Sequence, residues 1–143
     1  MSARLALPAA LLAARLATAG DLAGAELPSG GLPSGGALAA IGQHGSVNSI
    51  AVDQGGREHR LSASQRGREN AATVVQDGYA NNVELQQNGK GNDATVVQVG
   101  TGNSALVDQH GNANNARIEQ HGNDASARIT QTGNGKRAIL IQH

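Results

Sequence analysis

Small and aliphatic residues recur along this chain at two interleaved positions of an eleven-residue cycle. One set reads Ile50, Leu61, Ala72, Val83, Ala94, Ala105, Ala116, Ala127 and Ala138. Two residues further on, the other reads Val52, Ala63, Val74, Leu85, Val96, Val107, Ile118, Ile129 and Leu140. Around them lie Ser49, Asp53, Arg60, Ser62, Glu84, Asp93, Thr95, Asp108, Arg117, Glu119, Arg128 and Thr130, with a few aliphatics such as Val75, Val97 and Leu106. Alternation of this kind has period two, the signature of strands with one lined face. The cycle predicts ten seven-residue strands, beginning at residues 37, 48, 59, 70, 81, 92, 103, 114, 125 and 136, joined by four-residue turns.

The polar positions keep the same register. Gln43, Gln54, Gln65, Gln76, Gln87, Gln98, Gln109, Gln120, Gln131 and Gln142 stand eleven residues apart, and all but the last are followed two residues later by Gly45, Gly56, Gly67, Gly78, Gly89, Gly100, Gly111, Gly122 and Gly133. Asn48, Asn70, Asn81, Asn92, Asn103 and Asn114 fall five residues after their glutamines. A fixed period means a repeat architecture. An eleven-residue period also suits a right-handed helical supercoil, but each unit would then carry a glycine inside the helix at about 1 kcal/mol. Nine such penalties exclude it. The glycines are read as turn residues, placed where the backbone needs positive φ.

One turn reverses the chain, so two units make a strand-turn-strand coil of twenty-two residues, and residues 37–143 hold five coils. A single-layer meander would leave the lined face uncovered, and an unpaired buried amide costs about 1–3 kcal/mol. Coil stacked on coil at ~4.8 Å gives every inward amide an identical neighbour above and below. Gln43, Gln65, Gln87, Gln109 and Gln131 then form one ladder, and Gln54, Gln76, Gln98, Gln120 and Gln142 the other. The expected fold is an all-β, cross-β solenoid. His59, Ala125 and Lys136 occupy inward positions held elsewhere by Asn, so the ladders are expected to be weaker there.

Composition sharpens this picture. With one Tyr and no Phe, Trp or Cys, an alanine-rich core buries little apolar area, so stability must come from backbone ladders and neighbour stacking. The first and last strands carry no proline, leaving edges that match the repeat's own register. Such edges template another copy, and a non-closing head-to-tail contact builds a filament.

Residues 1–19 have the pattern of a secretory signal: Arg4, an apolar run from Leu5 to Ala14, and Ala17-Thr18-Ala19 as a cleavage site. Residues 20–36, with two Pro-Ser-Gly-Gly runs, have the composition of a flexible linker. Cleavage after Ala19 removes two of the eleven basic residues, leaving nine against eleven acidic ones and a net charge of −2. That balance argues against nucleic acid as a partner.

The repeated Q-x-G-x-x-N-x-A pattern followed by an aliphatic and another Gln, clearest in QNGKGNDATVVQ (Gln87 to Gln98) and QVGTGNSALVDQ (Gln98 to Gln109), resembles the repeat of the curlin family, the subunits of bacterial curli fibres. The resemblance implies a functional amyloid, exported through a dedicated outer-membrane pore with accessory factors and polymerised outside the cell as an adhesive biofilm matrix. Its implied partners are further copies of itself and another curlin subunit. The segment AAIGQHGSVNSIAVDQGG (Ala39 to Gly56) and the basic Lys136-Arg137 are closer to the minor, nucleating subunit than to the major one. The contrasting expectation is a soluble, secreted solenoid that binds surfaces without polymerising.

Other chemistry finds little support. His44, His110, His121 and His143 each follow a repeat glutamine and read as solvated turn residues divided between opposite edges; of them only His121 and His143 share an edge on adjacent coils, and two ligands do not make a metal site. Serine, histidine and carboxylate residues are scattered over turns and outward faces, so no catalytic constellation forms and no cofactor is implied. Arg57, Arg60, Arg66 and Arg68, with Glu58 and Glu69, read as a solvated charged face. If that charge slows self-association, replacing Arg60 and Arg66 with uncharged residues shortens the polymerisation lag.

Overall fold

Each turn reverses the chain, so alternate strands fall into the same sheet. The computed structural model describes residues 36–143; the expected signal segment, and the expected linker apart from Gly36, lie outside the described residues. The strands are β1 (Leu38–Ser46), β2 (Ser49–Arg57), β3 (Arg60–Arg68), β4 (Ala71–Tyr79), β5 (Asn82–Lys90), β6 (Asp93–Thr101), β7 (Ser104–Asn112), β8 (Asn115–Asn123), β9 (Ser126–Asn134) and β10 (Arg137–Gln142). One sheet runs β1-β3-β5-β7-β9 and the other β10-β8-β6-β4-β2. Every pairing is parallel and joins residues twenty-two apart, as Gln65 with Gln87 and Gln76 with Gln98. The protein is thus an all-β solenoid of five coils. Among the described residues, nothing pairs the outer edges of β1, β2, β9 and β10.

Strand length departs from expectation. Nine of the strands hold nine residues rather than seven, begin one residue later, and leave two-residue connections such as Val47-Asn48. The ladder does not stop at the glutamine: it continues through the glycine, so that Gly67 pairs with Gly89 and Arg68 with Lys90. Glycine bends the chain inside the strand while its backbone still bonds to the neighbouring coil.

The reversal is completed by the residue two after that glycine, which lies in the left-handed region even where it is Val47, Glu58, Glu69, Ala80, Ala113 or Asp124, with φ between 53° and 59°. Each such residue costs about 1–2 kcal/mol. The stack offsets this, because the same residue's N–H bonds the coil before: Glu69 to the Ser46 carbonyl at 3.0 Å, Ala113 to Lys90 at 2.9 Å, Asp124 to Thr101 at 2.8 Å.

The core is a thin apolar layer between the sheets. Leu61, Val74, Val83, Leu85, Ala94, Val96, Ala105, Val107, Ala116 and Ile118 are buried at the centre, while Ala39, Ile41, Val52, Ala138 and Leu140 on the end coils are only partly covered. Burial therefore falls off where neighbours run out, as expected of a fold whose stability is a sum of nearest-neighbour terms.

Candidate functional site

The inward amides form continuous columns with a direction. Gln43 Nε2 donates to Gln65 Oε1 at 2.8 Å, Gln65 to Gln87 at 2.7 Å, Gln87 to Gln109 at 2.9 Å and Gln109 to Gln131 at 2.9 Å. In the facing sheet, Gln54 donates to Gln76 at 2.8 Å, Gln76 to Gln98 at 3.1 Å, Gln98 to Gln120 at 2.9 Å and Gln120 to Gln142 at 3.0 Å. The second amide hydrogen crosses between the sheets: Gln87 donates to the Ala71 carbonyl at 2.8 Å and Gln109 to that of Asp93 at 3.0 Å. The side chain thus ties together both neighbouring coils and the opposite sheet. This use of both hydrogens explains why glutamine can be fully buried here without the penalty of an unpaired amide.

The asparagines lock the turns. Asn92 Oδ1 accepts the Asn114 backbone N–H at 3.1 Å, and its Nδ2 reaches the Gly111 carbonyl of the next coil at 2.9 Å. Asn70, Asn81, Asn103 and Asn114 repeat these contacts, and all are buried. Asn48 belongs to the same column, with Asn70 N–H donating to its Oδ1 at 3.2 Å and its own Nδ2 reaching the Gly67 carbonyl at 3.1 Å.

His59 performs two of the three tasks of the asparagine it replaces. Its Nε2 lies 2.8 Å from the Gly55 carbonyl and its Nδ1 accepts the Asn81 N–H at 3.3 Å, which assigns the proton to Nε2. Among the described hydrogen bonds it makes none to the Gly78 carbonyl. The column is therefore weakened at His59 and not broken. Ala125 and Lys136 donate their backbone N–H groups to Asn103 and Asn114 Oδ1 at 3.0 Å each, but their side chains carry no acceptor for a further coil.

The repeat glycines have a second reason for being there that turn geometry alone does not supply. All nine have φ from 110° to 132°, and from Gly45 to Gly111 a Cβ would sit 1.9–2.2 Å from the carbonyl oxygen of the glycine one coil on. Only the absence of a side chain lets the coils approach. Gly122 and Gly133, on the last two coils, meet no such carbonyl. The close approach becomes visible only when two units are stacked, so the one-dimensional pattern carried no trace of it.

Outside the apolar core and the columns, no side chain among the described residues is buried. His121 and His143 are stacked with ring centroids 5.7 Å apart. No group of three or more potential metal ligands forms among the described residues. His110 Nε2 lies 2.8 Å from Asp108 on its own strand, and Lys90 is 3.7 Å from Glu69. Tyr79 donates its hydroxyl to Glu58 at 2.8 Å, and that bond, with the carboxylate's charge, holds the phenol above its usual range.

This arrangement defines a class of protein: a parallel β-solenoid whose coils are joined by directional amide columns, with edges at both ends that nothing among the described residues pairs. The curlin associated repeat matches residues 67–100 and 100–133. Residues 67–133 thus carry the repeats of the curlin family. No curated protein matches it significantly.

Proposed function

We propose that this chain is a structural subunit of a curli-type extracellular amyloid fibre, in which copies stack head to tail and serve adhesion and biofilm matrix. The observation that carries this reading is the shared polarity of the two glutamine columns. At one end Gln43 and Gln54 have amide oxygens that receive no donor from another glutamine; at the other, Gln131 and Gln142 have amide hydrogens that reach no further one. The two ends are complementary, and the outer edges of β9 and β10 match those of β1 and β2 in register. Stacking a second copy therefore continues both sheets and both glutamine columns through the contacts they already make inside one copy. The curlin repeats support an extracellular subunit, with another curlin subunit and an outer-membrane export pore with accessory factors as partners. Residues 1–19 are its export signal and residues 20–36 a linker. The minor, nucleating role is the finer reading, supported by the segment Ala39 to Gly56 and by Lys136-Arg137.

Thioflavin T fluorescence of the chain desalted from denaturant, with and without preformed seeds, tests the assembly. Seeded acceleration with a cross-β diffraction pattern is the expected result, and a short unseeded lag marks the nucleating role. The variant Gly133→Ala refines the test. Within one copy its Cβ meets only the flexible Lys136 side chain, at 3.4 Å, whereas in a stack it would meet the Gly45 carbonyl of the next copy. It should leave the single solenoid folded and stop growth on that face. A folded chain that never elongates on seeds would leave the soluble surface-binding solenoid as the function.

A further inference from the structure

The junction between two stacked copies differs from every junction inside one copy, and Ala125 and Lys136 are the residues that make it differ. This inference rests on the head-to-tail stacking proposed above. Within the solenoid each coil-to-coil boundary is crossed by two glutamine columns and by inward columns of asparagine, two of them everywhere but at the first boundary, where Ala37 offers His59 no acceptor and only the Asn48 column crosses. The latter run Asn48-Asn70-Asn92-Asn114 in one sheet and His59-Asn81-Asn103 in the other, each link made by a side-chain acceptor taking the backbone N–H one coil further on. His59 opens its column because Nδ1 can accept. Ala125 and Lys136 end both columns, since a methyl group accepts nothing and an ammonium only donates.

Stacking a second copy adds its β1 to β9 and its β2 to β10. Gln131 then donates to the incoming Gln43 and Gln142 to the incoming Gln54, so both glutamine columns pass through. The incoming Asn48 N–H meets Lys136 instead of an amide oxygen, and the incoming Ala37 N–H meets Ala125. Lys136 is exposed in the single copy. In a stack its ammonium would be drawn toward the inward position, where an unpaired charge is costly.

We infer that the boundary between copies is held by the backbone ladders and the glutamine columns without any inward asparagine link, and is the plane at which the fibre breaks and sheds subunits. The surface concerned is the end face formed by β9, β10 and the inward side chains of Ala125 and Lys136, and its partner is the β1–β2 face of a second copy. Restoring the columns should then convert the weak plane into one like the others.

The experiment compares fibres of the unchanged chain, of Ala125→Asn/Lys136→Asn and of Arg137→Asn. Arg137→Asn removes a positive charge from the same coil at an outward position without supplying an inward acceptor. Fibres are diluted into a fixed concentration of guanidinium, and the rate of release of soluble chain is measured, with fragment length after controlled shear as a second readout. Two added hydrogen bonds per junction should slow release by about tenfold and lengthen the fragments, with Arg137→Asn unchanged. The single variant Ala125→Asn, the smaller perturbation, should fall between.

Equal release from the unchanged chain and the double variant would overturn the inference while leaving stacking intact. The same would follow if Arg137→Asn slowed release as much as the double variant, because charge and not the missing acceptors would then set the weak plane. Failure of the unchanged chain to elongate on seeds would instead overturn the stacking itself.

Discussion

Two glycines in one turn separate the two physical demands on the repeat. Gly89 and Gly91 both have positive φ, at 132° and 65°. A Cβ on Gly89 would stand 1.9 Å from the Gly111 oxygen and 2.8 Å from its carbonyl carbon, whereas a Cβ on Gly91 has nothing within 4 Å. For Gly91→Ala the cost is the left-handed backbone, about 1–2 kcal/mol, less about 0.4–1 kcal/mol recovered through a more restricted unfolded chain. Ala80 and Ala113 occupy the same place in other units at φ 54° and 53°, which shows that the fold accepts alanine there.

For Gly89→Ala the neighbouring coil must move by about 1 Å to reach even the tightest tolerable contact. Such a shift stretches the adjacent ladder bonds beyond useful length, at about 0.5–1.5 kcal/mol each, and adds about 1–3 kcal/mol of backbone strain. The sum is about 3–5 kcal/mol, a large share of the ~5–15 kcal/mol that holds a domain together. In urea, with a slope of about 1–3 kcal/mol per molar, the midpoint followed by far-ultraviolet circular dichroism should fall by about 1 M or more for Gly89→Ala. For Gly91→Ala it should fall by less than ~0.5 M. A Gly89→Ala midpoint equal to or above that of Gly91→Ala would refute the claim that coil-to-coil contact selects the repeat glycine.

Gln98→Ala strands the Gln76 amide hydrogen, the Gln120 oxygen and the Asn82 carbonyl, at about 1–3 kcal/mol for each group left unpaired in the interior. Gln142→Ala removes only the acceptor for Gln120, so in urea unfolding its midpoint should drop by much less, and equal drops would show that the columns carry no such weight. His59→Asn should raise stability by about 0.5–1.5 kcal/mol, because the amide can add a bond to the Gly78 carbonyl; a fall in the midpoint would mean that the packing of the ring matters more. Tyr79 is the sole tyrosine and there is no tryptophan, so its ionisation can be followed by absorbance without interference. The hydrogen bond to Glu58 raises its folded pKa above the ordinary phenol value of 10.0. The stabilisation is therefore fully present below the unfolded pKa and lost as pH rises through the folded one. Glu58→Gln should bring the titration down toward that of the denatured chain, and an unchanged curve would remove Glu58 as the cause.

The eleven-residue spacing by itself determined a great deal, because it is a statement about neighbours. Once Gln65 and Gln87 are known to be one coil apart, the parallel register, the two columns and the lined interior follow from the need to pair every buried amide. Composition added that no aromatic core could substitute for those columns. What the tertiary structure decided lies in contacts between units that no single unit contains. The strand continues through the glycine because its backbone bonds to the next coil, and the left-handed residue after it is tolerated because its N–H finds a carbonyl one coil back. His59 looked like an interruption in the list of asparagines, and only the position of its two nitrogens against Gly55 and Asn81 showed that it carries the column onward. Likewise the exclusion of a Cβ at Gly89 comes from a carbonyl twenty-two residues away. A one-dimensional pattern records which residues recur, whereas distance and direction between stacked copies of that pattern set the forces that make them recur.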